Sequence, residues 1–163
     1  MRLTTRGRYA VTAMLDLALS GRNGPVTVAH ISARQKISPA YLEQLFARLR
    51  NHRLVESVRG PGGGFCLSRL LDDISVTEII RAVDEPIDAT WCHGKLNRHD
   101  GKRCMTHEPW DDLNGVISGY LASVSLAQLI ARQASRNAEV QPPKLAQRQS
   151  YGSTAFTKDS KRS

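Results

Sequence analysis

Ser38-Pro39-Ala40-Tyr41-Leu42-Glu43-Gln44-Leu45-Phe46-Ala47-Arg48-Leu49-Arg50, and then Leu54-Val55-Glu56-Ser57-Val58-Arg59-Gly60-Pro61-Gly62-Gly63-Gly64-Phe65-Cys66-Leu67, decide the fold. In the first stretch Leu42, Leu45, Phe46 and Leu49 recur at i, i+3, i+4 and i+7, which is one apolar stripe of a helix. Ser38 stands where a helix cap belongs, and Pro39 sits in the first turn, where a missing N–H costs nothing. Such a stripe belongs to a core, so any function falls to the opposite face: Ser38, Ala40, Tyr41, Glu43, Gln44, Ala47 and Arg48. In the second stretch the period changes from 3.6 to 2. Leu54–Val58 and Phe65–Leu67 read as paired strands, and four glycines and a proline within Arg59–Gly64 make a compact hairpin tip. A glycine-rich loop that cradles nucleotide phosphate runs from strand into helix; this one runs from strand to strand, which sets nucleotide binding aside.

Upstream, Tyr9, Ala10, Ala13, Met14, Leu17 and Ala18 predict a helix over about Gly7–Leu19, ended by Gly21 and Gly24-Pro25. A short helix over Val28–Arg34 follows, with Thr27 as its cap and Ile31 inward, and Gln35-Lys36-Ile37 turns the chain into the helix from Ser38. Three helices and a hairpin predict a winged helix-turn-helix over residues 1–73, in a fold that is mainly α with a small β wing. Downstream, Ser75-x-x-Glu78 is a capping box opening a helix to about Val83, which Asp84-Glu85-Pro86 stops. A polar loop spans about Ile87–Thr106. A longer helix over about Glu108–Ala122 carries Trp110, Leu113, Ile117, Tyr120 and Leu121 on one side, with Val124 just beyond it. Ser125-x-x-Gln128 opens a short helix to about Arg132. Residues 74–134 thus form a loop with dimerisation helices, and residues 135–163 a basic tail whose Gln, Ser, Pro and Lys content predicts disorder.

The charge is unevenly placed. Of the net +8, residues 1–69 carry 11 Lys/Arg against 3 Asp/Glu, residues 70–134 carry 6 against 10, and residues 135–163 carry 6 against 2. A basic first third suits a phosphate-binding surface, and the acidic middle has the wrong sign for one. No apolar run approaches the ~18–20 residues that span a bilayer, and Arg2, Arg6, Arg8 and Asp16 do not fit a secretory leader. A soluble, cytoplasmic chain that binds double-stranded DNA is expected. The second helix of a helix-turn-helix enters the major groove. There Gln44 can bind adenine, Glu43 can accept from cytosine, and Ser38 or Tyr41 can reach base or phosphate. A carboxylate at that place selects between sites unless, alternatively, Glu43 is merely solvated or pairs with Arg50 or Arg53. Arg59, flanked by residues without bulk, suits a narrow minor groove. Arg2, Arg6, Arg8 and Arg50 suit phosphates. One such unit makes few base contacts, so a homodimer reading two half-sites is expected, with the helix from Glu108 as its interface.

Cys92, His93, His99, Cys104 and His107 lie within 16 residues of the polar loop. Their types and the Cys104-x-x-His107 spacing suit a metal, with exposed histidines and inert thiols as the plain alternative. Cys66, in the wing strand, reads as a small buried residue.

Three strings go further: Met1-Arg-Leu-Thr-Thr-Arg-Gly-Arg-Tyr-Ala-Val-Thr-Ala-Met-Leu-Asp-Leu-Ala-Leu, Tyr41-Leu-Glu-Gln-Leu-Phe-Ala-Arg-Leu-Arg, and Val58-Arg-Gly-Pro-Gly-Gly-Gly-Phe. They resemble the IscR family of iron–sulfur cluster regulators, and the likeness covers about residues 1–134. The resemblance implies a dimeric transcription regulator (repressor or activator) of iron–sulfur cluster biogenesis genes that senses a 2Fe–2S cluster. It implies DNA contacts from Tyr41, Glu43, Gln44 and Arg59, and cluster ligation by three cysteines and one histidine. Cys92, Cys104 and His107 match that set, but Arg98 stands in place of the middle cysteine and Ala40 in place of a serine. A guanidinium has no lone pair to give, so His99 or His93 supplies the fourth ligand, or the site holds zinc, or it holds nothing. Other readings within the same fold are a sensor of nitric oxide or redox state through Cys92 and Cys104, and a structural zinc protein. A small metalloenzyme would need an open metal position beside Glu108 or Asp100. No nucleophile and base form an active site, so an enzyme is not expected.

Overall fold

The computed structural model describes residues 5–85 and 107–140, with side chains as far as Arg136. The α-helices and strands among them follow in order: α1 Thr5–Ser20, α2 Val28–Gln35, α3 Pro39–Asn51, β1 Val55–Val58, β2 Gly64–Leu67, α4 Val76–Ala82, α5 His107–Ser123 and α6 Leu126–Val140. The mainly helical fold with a wing is the one the periodicities predict. The polar loop between α4 and α5 and the tail beyond α6 lie outside the described residues. Among the described residues no helix is long and apolar enough to cross a membrane.

One core joins the first four helices to the hairpin. Ala10, Ala13, Met14 and Leu17 of α1 meet Ile31 of α2, Leu42, Leu45, Phe46 and Leu49 of α3, and Ile79 of α4, all buried. The stripe read from α3 is this inner face. Leu126 closes the core from α6.

A buried carboxylate holds the first two helices together. Asp16 is 5% exposed, and it accepts from Arg34 Nη2 at 2.5 Å, from Arg34 Nε at 3.1 Å and from Gln35 Nε2 at 2.6 Å. Its hydrogen bonds outweigh the effect of burial and hold the Arg34 guanidinium above its ordinary pKa. A charge this deep persists only when several donors satisfy it; here they fix the end of α2, where the turn into α3 begins.

That turn is set by backbone geometry. Thr27 caps α2 by accepting from the His30 N–H at 3.2 Å, as predicted. Lys36 ends the helix in the left-handed region (φ 57°), its N–H donating to Ser32 O, and Ser32 Oγ donates to Ile37 O at 2.7 Å. Ser38 occupies the cap position of α3 but makes no side-chain capping bond. Pro39 at the first helical position has no N–H to leave unpaired and presets the helical φ, so α3 starts at Pro39 without a side-chain cap.

β1 and β2 pair antiparallel with Val55 opposite Leu67 and Val58 opposite Gly64. The wing is also tied to the chain ahead of α2: Phe65 N–H donates to Val26 O at 2.8 Å, and Val26 N–H to Phe65 O at 3.0 Å. Phe65 stacks on Phe46, with ring centroids 4.6 Å apart. Cys66 is half-buried rather than buried, because β2 lies at the margin of the core.

Both capping boxes form. Ser75 and Glu78 bond reciprocally at the start of α4, and Ser125 and Gln128 at the start of α6. Glu78 loses some hydration by burial, but the Ser75 N–H, Arg69 and the Ser75 hydroxyl together hold its carboxyl below the usual range. Composition predicts a stop near Arg132 and disorder from Ala134; instead α6 runs to Val140. Ala131, Gln133, Ala134 and Arg136 are strong helix formers, and their propensity continues the helix where composition reads as tail.

Candidate nucleic-acid interface

Helix α3 turns a narrow outer stripe away from the core. Ala40, Gln44, Ala47 and Asn51 are exposed along it, and two of the four are alanines, so the helix can approach a partner surface closely. Gln44 is the long hydrogen-bonding side chain in the middle of this stripe, and an amide there can both donate and accept. Glu43 and Arg50 flank the stripe on one side, both exposed. Glu43 makes no ion pair with Arg50 or Arg53 among the described residues, so the alternative in which it is neutralised there is not realised. Ser38, exposed at the start of α3, points to the same end.

The other flank differs from expectation. Tyr41 and Arg48, both placed on the solvent face by the period, are half-buried. The Tyr41 ring meets Tyr9 of α1 edge-on, with centroids 6.0 Å apart and planes at 80°. Arg48 Nη1 pairs with Asp84 Oδ2, just past the end of α4. Neither contact can be found by periodicity, since the partners lie 32 and 36 residues away.

The wing presents Arg59 at its tip, exposed and next to Gly60 and Gly62, whose φ values are +106° and +76°. Gly63 N–H closes the tip on Gly60 O at 2.9 Å. At the base of the wing Arg50, His52, Arg53 and Arg69 line an open groove, with Glu56 and Glu78 among them. The structure therefore brings Ser38, Glu43 and Gln44 together on one helix, with Tyr41 beside them and Arg59 on the adjoining hairpin. Arg2, Cys92, His93, Arg98, His99 and Cys104 lie outside the described residues; of the predicted ligands, only His107 falls within them. It is the first residue of α5.

No residue of α5 is buried. Trp110 is 45% exposed, Leu113 37%, Val116 70% and Tyr120 56%. Helix α5 lies on α4, where Thr77 Oγ1 donates to Ser118 O at 3.4 Å. Leu121 packs inward on Val76, Ile80 and Val124, while Trp110, Leu113, Val116 and Tyr120 look outward.

Known proteins share this arrangement. Residues 3–132 match the family model Rrf2, described as iron-dependent transcriptional regulators. The chain is 56% identical over 133 residues to the HTH-type transcriptional regulator IscR of Photorhabdus laumondii, covering 82% of this chain and 81% of that protein. It is 57% identical to the IscR of Sodalis glossinidius over the same number of residues and with the same coverage. Among solved structures, T. potens IscR is similar with a TM-score of 0.68 at 34% identity, covering 87% of this chain and 93% of that one. CymR, the global cysteine regulator of B. subtilis, gives 0.69 at 31% identity, covering 81% and 98%. These relatives are transcriptional regulators, a role without catalysis. The helix-turn-helix with its wing and the match across residues 3–132 lead to one assignment: the chain belongs to the Rrf2 family of transcriptional regulators.

Proposed function

We propose that the chain is a homodimeric regulator that reads double-stranded DNA in the cytoplasm through α3 and the wing, and whose choice of site responds to a 2Fe–2S cluster bound at Cys92, Cys104, His107 and a second histidine, His99 or His93. The observation that carries the DNA half is the exposed Ala40–Gln44–Ala47–Asn51 stripe beside an exposed Arg59. Gln44 and Glu43 read base edges, Ser38 and Tyr41 contact base or phosphate, Arg59 enters the minor groove, and Arg2 adds a phosphate contact. The outward apolar face of α5 supports the dimer, since Trp110, Leu113, Val116 and Tyr120 would otherwise be left in water.

The donor set fits a metal centre in its chemistry. Two thiolates and two imidazoles give four ligands without the cysteine that Arg98 replaces, and such mixed ligation of a 2Fe–2S cluster is known to raise its potential. The same set is also a tetrahedral zinc set. When bound, the group supplies a ligation that depends on iron supply or oxidation state, and no chemistry on DNA. The chain's own part is placement: His107 opens α5, α5 lies on α4, and Asp84 beyond α4 contacts α3. A bound group can alter DNA choice only if the two states of the chain differ in affinity for it.

Anaerobically purified protein should contain iron and acid-labile sulfide in equal amounts, with visible charge-transfer absorption. Cys92→Ala should lose both and change the ratio of affinities for different operators. Zinc alone, or no metal after reconstitution with iron and sulfide, would contradict the sensing reading and favour the structural-zinc or metal-free forms of the same regulator. Absorption changes on nitric oxide without any cluster would favour a thiol-based sensor.

A further inference from the structure

Asp84 is an exposed carboxylate in an unusual place. Its backbone is left-handed (φ 53°), a conformation that few residues other than glycine, asparagine and aspartate adopt readily. Both neighbours are pinned. Arg6 Nη1 of α1 donates to Val83 O at 3.4 Å, and the Gly7 N–H donates to Glu85 Oε2 at 2.5 Å. Glu85 is 4% exposed, and a Cβ at Gly7 would stand 2.9 Å from its carboxylate, so this approach is a close one. Asp84 N–H closes on Arg81 O at 3.0 Å. The backbone at Asp84 is therefore fixed beside α3, and its carboxylate meets the guanidinium of Arg48.

The pair has little reason to exist for stability. The side chains of Arg48 and Asp84 are 41% and 70% exposed, and ion pairs so open to solvent contribute little to folding. Its position has another consequence. Arg48 follows Gln44 by one helical turn, on the flank of the stripe that faces DNA in the proposed function. An arginine there is within reach of the phosphate backbone, and each free cation on such a surface adds affinity for any sequence. Glu43 stands on the opposite flank. The reading helix, itself in the most basic third of the chain, is thus bracketed by two carboxylates, its own Glu43 and Asp84 from the acidic section that follows.

We propose that Asp84 is a specificity-determining residue: it competes with DNA phosphate for Arg48 and so withholds one sequence-independent contact from the recognition helix. Asp84 lowers affinity for non-operator DNA more than for an operator, where base contacts already hold the helix in place. This inference rests on the DNA-binding reading above.

The test is the salt dependence of binding by the full chain, on an operator duplex and on a duplex of scrambled sequence. Asp84→Asn keeps a residue that tolerates the left-handed backbone and removes the charge, so Tm should stay close to that of the original protein. In this variant the slope of log K against log salt on scrambled DNA should steepen by about 0.9 for each Arg48 released. Affinity for scrambled DNA at low salt should rise several-fold, and the ratio of operator to scrambled affinity should fall. In Arg48→Gln/Asp84→Asn the extra slope should vanish. An unchanged or shallower slope in Asp84→Asn would overturn the proposal, as would a steepening that persists in the double variant. Were the unaltered chain to show no salt-dependent DNA binding at all, the DNA-binding reading would fail instead, which is a different result.

Discussion

Phe46→Ala should lower the free energy of unfolding by about 3–5 kcal/mol, the largest loss expected from any single truncation in α3. Phe46 is fully buried and is among the largest of the buried side chains. Its ring lies between the inner stripe of α3 and the wing, 4.6 Å from the ring of Phe65 and tilted at 38°. Truncation removes the transfer energy of the ring and leaves a cavity whose walls are helices α1 and α3 and the hairpin, which cannot all close in at once. A domain of ordinary stability holds about 5–15 kcal/mol, so the variant should unfold at much lower denaturant and lose the fixed orientation of the wing. Val58→Ala is the control: Val58 is 44% exposed, and its truncation should change stability by no more than about 0.5 kcal/mol. Denaturant titration followed by circular dichroism gives both numbers. A loss below about 1 kcal/mol for Phe46→Ala would show that α3 and the wing do not share one core.

The second large effect is at Gly64. A Cβ added there would meet Val26 O at 2.5 Å, Val26 C at 2.6 Å and Thr27 N at 2.9 Å, all of them backbone atoms. Backbone cannot swing aside as a side-chain tip can. To admit the methyl group the chain must part Gly64 from Val26, which disrupts the two Val26–Phe65 hydrogen bonds and pulls Phe65 from Phe46. Gly64→Ala should therefore cost about 2–3 kcal/mol and reduce DNA affinity by displacing Arg59. Gly62→Ala separates this from simple loss of glycine. Gly62 has φ +76°, and no atom stands within 4 Å of the place its methyl group would take, so its cost should be only the left-handed strain of about 1 kcal/mol. Equal losses for the two variants would mean that the tie between Val26 and the wing contributes nothing.

Much of this architecture is legible in the residues themselves. The Leu42, Leu45, Phe46 and Leu49 stripe, the period change after His52, the glycine-rich tip and the two Ser-x-x-Glu/Gln boxes are local signals, and each has its counterpart in the structure. The recognition face is legible only in part, for a physical reason. Its centre follows from helical period, whereas its edge depends on what other elements reach it. Tyr41 is drawn inward by Tyr9, and Arg48 is held by Asp84, and no local pattern records either contact. Asp16 is similar: its place among apolar neighbours gives no sign of the Arg34 and Gln35 donors that allow a charge there. The length of α6 escapes composition because polar residues there mask the helix propensity of its alanines, glutamine and arginine. The ligand cluster rests on residue type and spacing, and of its members His107 can be placed, at the start of α5.

The central claim is that α3 and the wing read DNA sequence, and one measurement tests it most directly. Duplexes selected from a randomised pool by the full chain would be titrated against scrambled controls across a range of salt, with Arg59→Ala beside the unaltered protein. The account predicts an enriched two-fold symmetric motif, an affinity that falls steeply with salt, and about a tenfold loss in Arg59→Ala, equivalent to one good groove contact. No enrichment over scrambled DNA, or binding indifferent to both salt and Arg59, would contradict it.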